Sequence, residues 1–140
     1  MSRSPKRRAA TAAGLRSGFE HTIAQALDAA GVEYEYERES FSWLEKVPRA
    51  VCLECDGPAY AKRSYTPDFF LSSGVIVEAK GRFTAKDRKI SLAMKEQGRD
   101  IRLVFQFDNK LSRTSKSRYS DWCVKNDIQY ALKEVPESWT

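Results

Sequence analysis

The chain has 140 residues, of which 41% are hydrophobic and 31% charged, which fits one soluble globular domain and excludes a disordered or fibrous protein. No apolar run approaches the ~20 residues that span a membrane, and no apolar stretch follows the basic N-terminus. We therefore predict neither a membrane anchor nor a secretory signal. Three cysteines, an odd number, argue against a disulfide framework and favour a reducing, cytoplasmic compartment.

The net charge of +5 is unevenly distributed along the chain. Residues 1–13 carry four basic residues and no acidic one, residues 14–81 have a net charge of −4, residues 82–118 of +7 and residues 119–140 of −2. Two basic segments thus flank an acidic one. This pattern is typical of an enzyme that binds phosphates on either side of a metal centre. Solvated surface charge explains the same pattern, and charge alone does not separate the two.

The N-terminal quarter predicts an arm, a helix and a strand. Residues 1–13 are polar and basic without periodicity, which predicts a flexible arm. Ser17 and Glu20 form a capping box for an amphipathic helix that Gly31 ends. Glu20 thus has a structural role, although it also lies close enough to the apolar stripe to reach the rim of the core. Residues 32–39 alternate strictly, which predicts a strand whose row of glutamates faces solvent.

A Cys-x-x-Cys pair, Cys52 and Cys55, lies in a segment without clear periodicity. A structural zinc site needs four ligands. The only other candidates in the chain are Cys123 and His21, at no recognised spacing. We therefore expect two free thiols in a loop and no zinc.

Two short strands joined by a Ser-Ser-Gly turn carry the candidate site. The first follows Asp68, and the second, Ile76 to Lys80, alternates so that Glu78 and Lys80 share one face. Pairing these strands as a hairpin brings Asp68 near Glu78 and Lys80. Buried carboxylates are costly unless they pair or hold a metal, and their oxygens suit Mg²⁺. A nearby lysine can orient a water or stabilise charge on a phosphate. The competing interpretation is a surface hairpin in which the side chains of Glu78 and Lys80 face solvent.

The remaining chain alternates helices and strands. A capped helix is predicted from Thr84 to Gln97, a buried strand over Ile101–Phe107, a basic loop over Lys110–Arg118, a helix over Tyr119–Lys125 and a strand over Ile128–Leu132. Tyr60–Tyr65 is predicted to return to the sheet. The order α-β-β-β-α-β-α-β predicts an α/β or α+β architecture, with helices flanking a mixed central sheet.

The spacing Pro67-Asp68, nine residues, Glu78-x-Lys80 is that of the PD-(D/E)xK nucleases. Over most of its length the chain resembles the bacteriophage endonuclease I family, whose members resolve Holliday junctions. The resemblance rests on six segments in order: Arg16–Glu20, Tyr65–Phe69, Val77–Gly81, Asp87–Lys89, Asp100–Phe105 and Val135–Trp139.

This resemblance implies a restriction-endonuclease-like PD-(D/E)xK fold, with a single nuclease domain over residues 14–140. It implies an intertwined, domain-swapped homodimer in which residues 38–64 bridge the two halves. Each site then takes its helix glutamate from one chain and its other residues from the partner. The bridge is longer than is usual in the family and carries the unexpected cysteine pair, so the angle between junction arms is left open.

The residues that the resemblance implies for catalysis are Glu20, Asp68, Glu78 and Lys80. Asp68, Glu78 and the Ala79 carbonyl would hold one Mg²⁺, and Glu20 with Asp68 would help to hold a second. Mn²⁺ is expected to support activity as well. Lys80 would position or deprotonate the attacking water.

The implied function is a metal-dependent endodeoxyribonuclease that resolves four-way and other branched DNA junctions by paired phosphodiester hydrolysis. It would act in the cytoplasm, that of the host cell if a phage encodes it. Candidate DNA contacts are Arg3, Lys6, Arg7, Arg8, Arg16, Arg82, Lys86, Arg88, Lys89, Lys110, Arg113 and Lys116. Two alternatives are a nicking or restriction-like nuclease of the same fold acting on duplex DNA and a non-catalytic junction-binding protein.

Overall fold

The computed structural model of the protein describes residues 18–37 and 40–140, apart from the side chains of residues 48 and 49. The described helices are α1 (Gly18–Ala29), α2 (Ala85–Glu96) and α3 (Tyr119–Lys125), with a final 3-10 turn at Glu137–Trp139. Three predicted features lie outside these residues: the arm over residues 1–13, the Ser17 cap, and the candidate DNA contacts Arg3, Lys6, Arg7, Arg8 and Arg16.

The described strands form two sheets. They are β1 (Tyr34–Tyr36), β2 (Phe41–Val51), β3 (Pro58–Tyr65), β4 (Phe69–Leu71), β5 (Ile76–Lys80), β6 (Ile101–Phe105) and β7 (Tyr130–Leu132). The central sheet has the order β1-β4-β5-β6-β7, and β2 pairs only with β3. The first two pairings of the central sheet are antiparallel and the last two parallel, with α2 and α3 in the crossovers that parallel strands require. The predicted mixed central sheet is confirmed.

Helices cover the central sheet on both faces. On one face α1 packs over Val77 and Ala79 of β5. On the other face α2 and α3 pack over Ile76 of the same strand, together with Leu103 and Phe105 of β6. Because β5 is buried on both faces, most of its residues are apolar. The charged residues that it does carry, at its C-terminal end, therefore stand out.

The helices begin and end as local sequence chemistry predicts. In α1 the side chains of Phe19, Ile23 and Leu27 are buried on one face, and Gly31 follows with the left-handed φ of 72° that favours glycine.

None of the helices in the described ranges 18–37 and 40–140 is long and apolar enough to cross a lipid bilayer.

Residues 40–64, in which the sequence shows no clear period, contain a long hairpin. β2 and β3 pair antiparallel from Phe41 opposite Tyr65 outward, with a register shift between Lys46 and Val51. The prediction that Tyr60–Tyr65 returns to the main sheet is wrong, because β3 belongs to the separate two-stranded sheet. The shift breaks the alternation of side chains, which is why no strand period is visible.

Only the base of this hairpin is packed against the domain. Phe41, Trp43 and Tyr65 are buried in the core that contains α2 and α3. Toward the turn the apolar side chains emerge: Val51 is 60% exposed and Leu53 fully exposed. The hairpin is therefore anchored at one end and surrounded by solvent at the other.

The strand predicted over residues 32–39 is shorter than expected, and two of its glutamates are less exposed. β1 covers only Tyr34–Tyr36. Glu33 is exposed, whereas Glu35 and Glu37 are half-buried. The prediction of a solvated glutamate row is therefore confirmed for Glu33 and wrong for Glu35 and Glu37.

Candidate active site

Asp68 and Glu78 are brought together by the predicted hairpin, which the structure contains as β4 and β5. The backbone N–H of Asp68 donates to Oε1 of Glu78 at 3.1 Å, and the N–H of Ala79 donates to Oδ2 of Asp68 at 3.0 Å. The two residues are 2% and 3% exposed. Each carboxylate is thus held by the backbone of the segment that carries the other, so Glu78 does not face solvent as the surface-hairpin interpretation required.

Glu78 is held in a site that disfavours its charge. Burial raises the pKa of this carboxyl to about 7, against the opposing effects of the Lys80 ammonium and the Asp68 N–H. The hydroxyl of Tyr65 donates to the same Oε1 atom that accepts the Asp68 N–H. One oxygen of Glu78 is therefore occupied by donors from the protein, while Oε2 faces Lys80.

Lys80 lies between two carboxylates. Its Nζ is 3.4 Å from Oε2 of Glu78 and 3.2 Å from Oδ1 of Asp87. Burial favours the neutral amine, but the charges of Glu78, Asp68 and Asp87 outweigh that effect and raise the pKa of Lys80. The side chain is accordingly held as a cation, an arrangement suited to orienting a water or a phosphate and poorly suited to accepting a proton.

Asp87 caps the start of α2 and also contacts Lys80. Its carboxylate accepts from the N–H of Thr84 at 2.9 Å, and its own N–H donates to the Thr84 hydroxyl at 3.2 Å, so the predicted capping box is confirmed. The same side chain pairs with Lys80. Burial opposes its charge, but Lys80 and Thr84 together lower the pKa of Asp87. The start of α2 is thereby tied to the end of β5.

A second group of carboxylates meets at Asp68. One ligand oxygen each from Glu20, Glu37 and Asp68 lies within 4.8 Å of the others. Glu20 is buried on α1, where the Tyr36 hydroxyl donates to its Oε2 at 2.7 Å. Burial and this contact with Glu20 raise the pKa of Tyr36. In this chain the helix glutamate therefore lies beside the Pro-Asp aspartate.

Glu37 is the site residue that sequence reasoning missed. Its N–H donates to the Asp68 carbonyl at 3.2 Å, and its φ of 49° lies in the left-handed region. That conformation ends the alternation of β1, so Glu37 does not follow the other glutamates of the row. An alternating sequence pattern contains no signal for such an exception.

The donor set fits a hard divalent cation. Every candidate ligand around Asp68 is a carboxylate or backbone oxygen, which is the chemistry that Mg²⁺ and Mn²⁺ prefer. A cleft of about 220 Å³ opens over Asp68, Glu78 and Lys80, and it is also lined by Lys86 and Asp87. Asp68 therefore belongs both to an acidic cluster that could hold a metal ion and to the open cleft.

The candidate DNA contacts within the described residues divide into two groups. Arg82, Lys86, Lys110, Arg113 and Lys116 are all exposed. The last three lie in a loop that a bridge between Lys110 and Arg118 closes.

Arg88 and Lys89 instead have partners within the protein. The Arg88 guanidinium donates to the Phe83 carbonyl at 2.9 Å, and Lys89 lies 3.6 Å from Glu45. These two side chains therefore connect α2 to Phe83 and to Glu45 of β2.

All three cysteines, Cys52, Cys55 and Cys123, are free thiols. Cys123 is buried in α3, whereas Cys52 and Cys55 lie in the turn of the β2–β3 hairpin. The prediction that Cys52 and Cys55 lie in a loop is confirmed.

Known proteins similar to this chain are phage nucleases. The family model described as phage endonuclease I matches residues 1–140. The chain is 38% identical over 128 residues to Endonuclease I of Escherichia phage T7, covering 89% of this chain and 77% of that protein. It is 36% identical over 125 residues to Endodeoxyribonuclease 1 of Enterobacteria phage T3, covering 87% and 74%.

Proposed function

The chain belongs to the phage endonuclease I family, and we propose that this endodeoxyribonuclease resolves four-way (Holliday) and other branched DNA junctions by metal-dependent, paired hydrolysis of phosphodiester bonds. The observation that carries the chemistry is that Asp68 belongs to two groups of charged residues. It lines one cleft with Glu78 and Lys80, and its carboxylate meets that of Glu20. Binding DNA requires no buried carboxylates, whereas holding a cation against a phosphate does.

We assign one metal ion to Asp68, Glu78 and the Ala79 carbonyl, and a second to Glu20 and Asp68, with Glu37 as an additional ligand of the second. Mg²⁺ is the expected ion and Mn²⁺ a substitute. When bound, the ion supplies Lewis-acid chemistry at the phosphate and makes water a stronger nucleophile. The protein prepares the site because Tyr36, Tyr65 and the strand backbone hold the carboxylates in place before the ion arrives.

Lys80 acts in this proposal as a cation. Paired with Glu78 and Asp87, it orients the attacking water and stabilises charge that develops on the phosphate. Lys86 lines the same cleft and contacts the neighbouring phosphate. Arg82 and the loop that carries Lys110, Arg113 and Lys116 extend the basic surface along the DNA backbone.

We assign the domain, residues 14–140, to the PD-(D/E)xK fold and propose that it works as an intertwined homodimer. α1 and β1 connect to the rest of the chain only through the segment after Glu37, so the contact between Glu20 and Asp68 can form equally well between two chains. In such a dimer residues 38–64 bridge the halves, and the two-fold axis relates two sites that cut two strands of a junction.

The basic residues before α1 are proposed to bind phosphates. Removing residues 1–13 should reduce the slope of log affinity against log salt by about 0.9 for each phosphate that the arm neutralises in the full-length protein. An unchanged slope would show that the arm does not touch the backbone.

The test is cleavage of an end-labelled four-way junction beside a linear duplex of the same sequence, in Mg²⁺ and in EDTA. The wild type is compared with Lys80→Ala and with Lys125→Ala, which removes an exposed lysine at the end of α3. We expect paired cuts near the branch point that EDTA and Lys80→Ala abolish and Lys125→Ala retains.

The other outcomes identify the alternatives. Equal cutting of junction and duplex would indicate a nicking or restriction-like nuclease and overturn the junction selectivity. Junction binding that survives EDTA, with no cleavage in Mg²⁺ or Mn²⁺, would indicate a binding protein and overturn the catalytic assignment.

A further inference from the structure

The turn of the β2–β3 hairpin holds its two cysteines in one compact loop. The N–H of Cys52 donates to the carbonyl of Gly57 at 2.8 Å, and the N–H of Asp56 donates to the carbonyl of Cys52 at 2.9 Å. Asp56 takes a left-handed φ of 58° to complete the turn. The backbone between the two thiols is therefore closed by hydrogen bonds, so that Cys52 and Cys55 occupy defined positions.

Glycine at position 57 leaves one side of the second sulfur open. A methyl group added at Gly57 would lie 3.4 Å from Sγ of Cys55, so a larger residue there would crowd that sulfur.

The third cysteine provides a contrast within the same chain. Cys123 is fully buried in α3, and burial raises the pKa of its thiol to about 12. It behaves as a core residue. Of the two hairpin cysteines, Cys52 is instead half-buried and Cys55 is exposed.

One chain supplies only half of a zinc site at this turn. In the part of the chain that the structure describes, Glu20, Glu37 and Asp68 are the group of three or more candidate ligands that meets within 4.8 Å. No third histidine, cysteine or carboxylate among those described residues therefore joins Cys52 and Cys55. The sequence offers too few zinc ligands within one chain, but the number of thiols doubles if a second copy contributes the same pair.

We propose that Cys52 and Cys55 bind a thiophilic divalent cation, Zn²⁺, in a tetrahedral four-thiolate site completed by the same two residues of a second copy of this chain. Two identical half-sites meet naturally about a two-fold axis. The exposed apolar surface agrees with this occupant, because Leu53 is 100% exposed between the cysteines and Val51 is 60% exposed beside them. Contact between two turns would cover these side chains.

Charge makes this contact dependent on metal. Each turn carries Glu54 and Asp56 beside the thiolates, so two turns repel each other until a cation is bound between them. The site is separate from the nuclease centre: its ligands are sulfur rather than oxygen, and it lies at the solvent-exposed end of the hairpin.

The experiment is a Co²⁺ titration under reducing conditions, in an Asp68→Asn background that weakens Co²⁺ binding at the nuclease centre. We expect a thiolate-to-cobalt charge-transfer band and the intense visible bands of a tetrahedral ion, saturating at one Co²⁺ for every two chains. Excess Zn²⁺ should bleach both. Cys52→Ser and Cys55→Ser should each abolish the charge-transfer band, and Cys123→Ser should retain it.

Three results would overturn the proposal. They are saturation at one ion per chain, the weak spectrum of octahedral cobalt without a charge-transfer band, and a band that survives Cys52→Ser. The two serine variants should keep wild-type cleavage in an otherwise wild-type chain, because no residue of the turn lines the cleft over Asp68. That measurement also shows that each variant is folded.

Discussion

The β4–β5 hairpin and the β2–β3 hairpin are both antiparallel pairs, yet the first buries its reactive side chains and the second exposes them. β4 and β5 lie inside the central sheet and hold Asp68 and Glu78 almost out of solvent. The β2–β3 hairpin is buried only at its base and presents Cys52, Leu53 and Cys55 outward. A buried site thus needs partners from several elements, whereas an exposed turn can acquire chemistry from its own backbone alone.

The largest effect expected on the buried hairpin is from Asp68→Asn. The amide oxygen can still accept the Ala79 N–H, so the fold should be retained, but a central metal ligand loses its charge. We expect cleavage to fall at least ~10³-fold, which corresponds to several kcal/mol of lost metal-assisted stabilisation. Single-turnover cleavage with junction binding measured in parallel provides the check.

The matched control is Asp56→Asn. Asp56 is an acidic residue in the exposed turn, and asparagine tolerates its left-handed backbone conformation. It should leave cleavage unchanged. Equal losses from the two variants would mean that the buried carboxylate has no special role.

Glu78 gives the next largest effect, as a function of pH. Its pKa is raised from 4.5 to about 7 in the folded protein, so the fold favours the protonated form. Without metal, the stability contributed by this group is present below about pH 4.5 and is lost as pH rises through about 7, a change of roughly 3 kcal/mol. Because a divalent cation binds the ionised carboxylate, Mg²⁺ should raise the melting temperature more near pH 8 than near pH 5.

Thermal unfolding with Mg²⁺ or EDTA at several pH values measures this linkage. Glu78→Gln should remove the pH-dependent part, and Glu96→Gln, at an exposed position of α2, should leave it intact. A Mg²⁺ effect that is the same at both pH values would contradict the assignment of Glu78 as a ligand.

Asp87→Asn separates the positioning of Lys80 from capping. Asparagine can still accept the Thr84 N–H, but the charge that pairs with Lys80 is lost. We expect a fall in cleavage of about 10- to 100-fold, the usual cost of removing a residue that orients an active-site group. The pH dependence of cleavage should also change, because Asp87 helps to keep the Lys80 pKa high.

Thr84→Ala is the control, because it removes the cap hydroxyl and leaves the pair between Lys80 and Asp87. It should cost about 1 kcal/mol of stability and little activity. If both variants lose activity in proportion to lost stability, the role of Asp87 is only structural.

The smallest effect is expected in the exposed hairpin. Leu53→Ser replaces a fully exposed side chain, so the unfolding free energy of the metal-free protein should change by no more than about 0.5 kcal/mol. Phe41→Ser, at the buried base of the same hairpin, should cost about 3 kcal/mol or more. Urea denaturation compares the two. Similar losses would show that the exposed end is packed and would contradict the contrast between the hairpins.

Sequence patterns anticipated much of this fold because their signals are local. Alternation and apolar runs predicted the five strands of the central sheet, and capping residues predicted α2. The pairing of Asp68 with Glu78 and Lys80 also followed from a short turn between two strands. Residues 40–64 were not anticipated, because a register shift in β2 hides the alternation on which strand prediction depends.

The sequence alone determined which acidic and basic residues form the site and how they are spaced along β4 and β5. It also determined the family, through this spacing and the surrounding motifs. The distant groups that join them are defined by the packing of the folded chain. Glu37 reaches Asp68 because a left-handed residue ends β1, and Asp87 reaches Lys80 because α2 starts beside the end of β5. Such contacts depend on how separate elements pack in three dimensions, and no period along one segment encodes them.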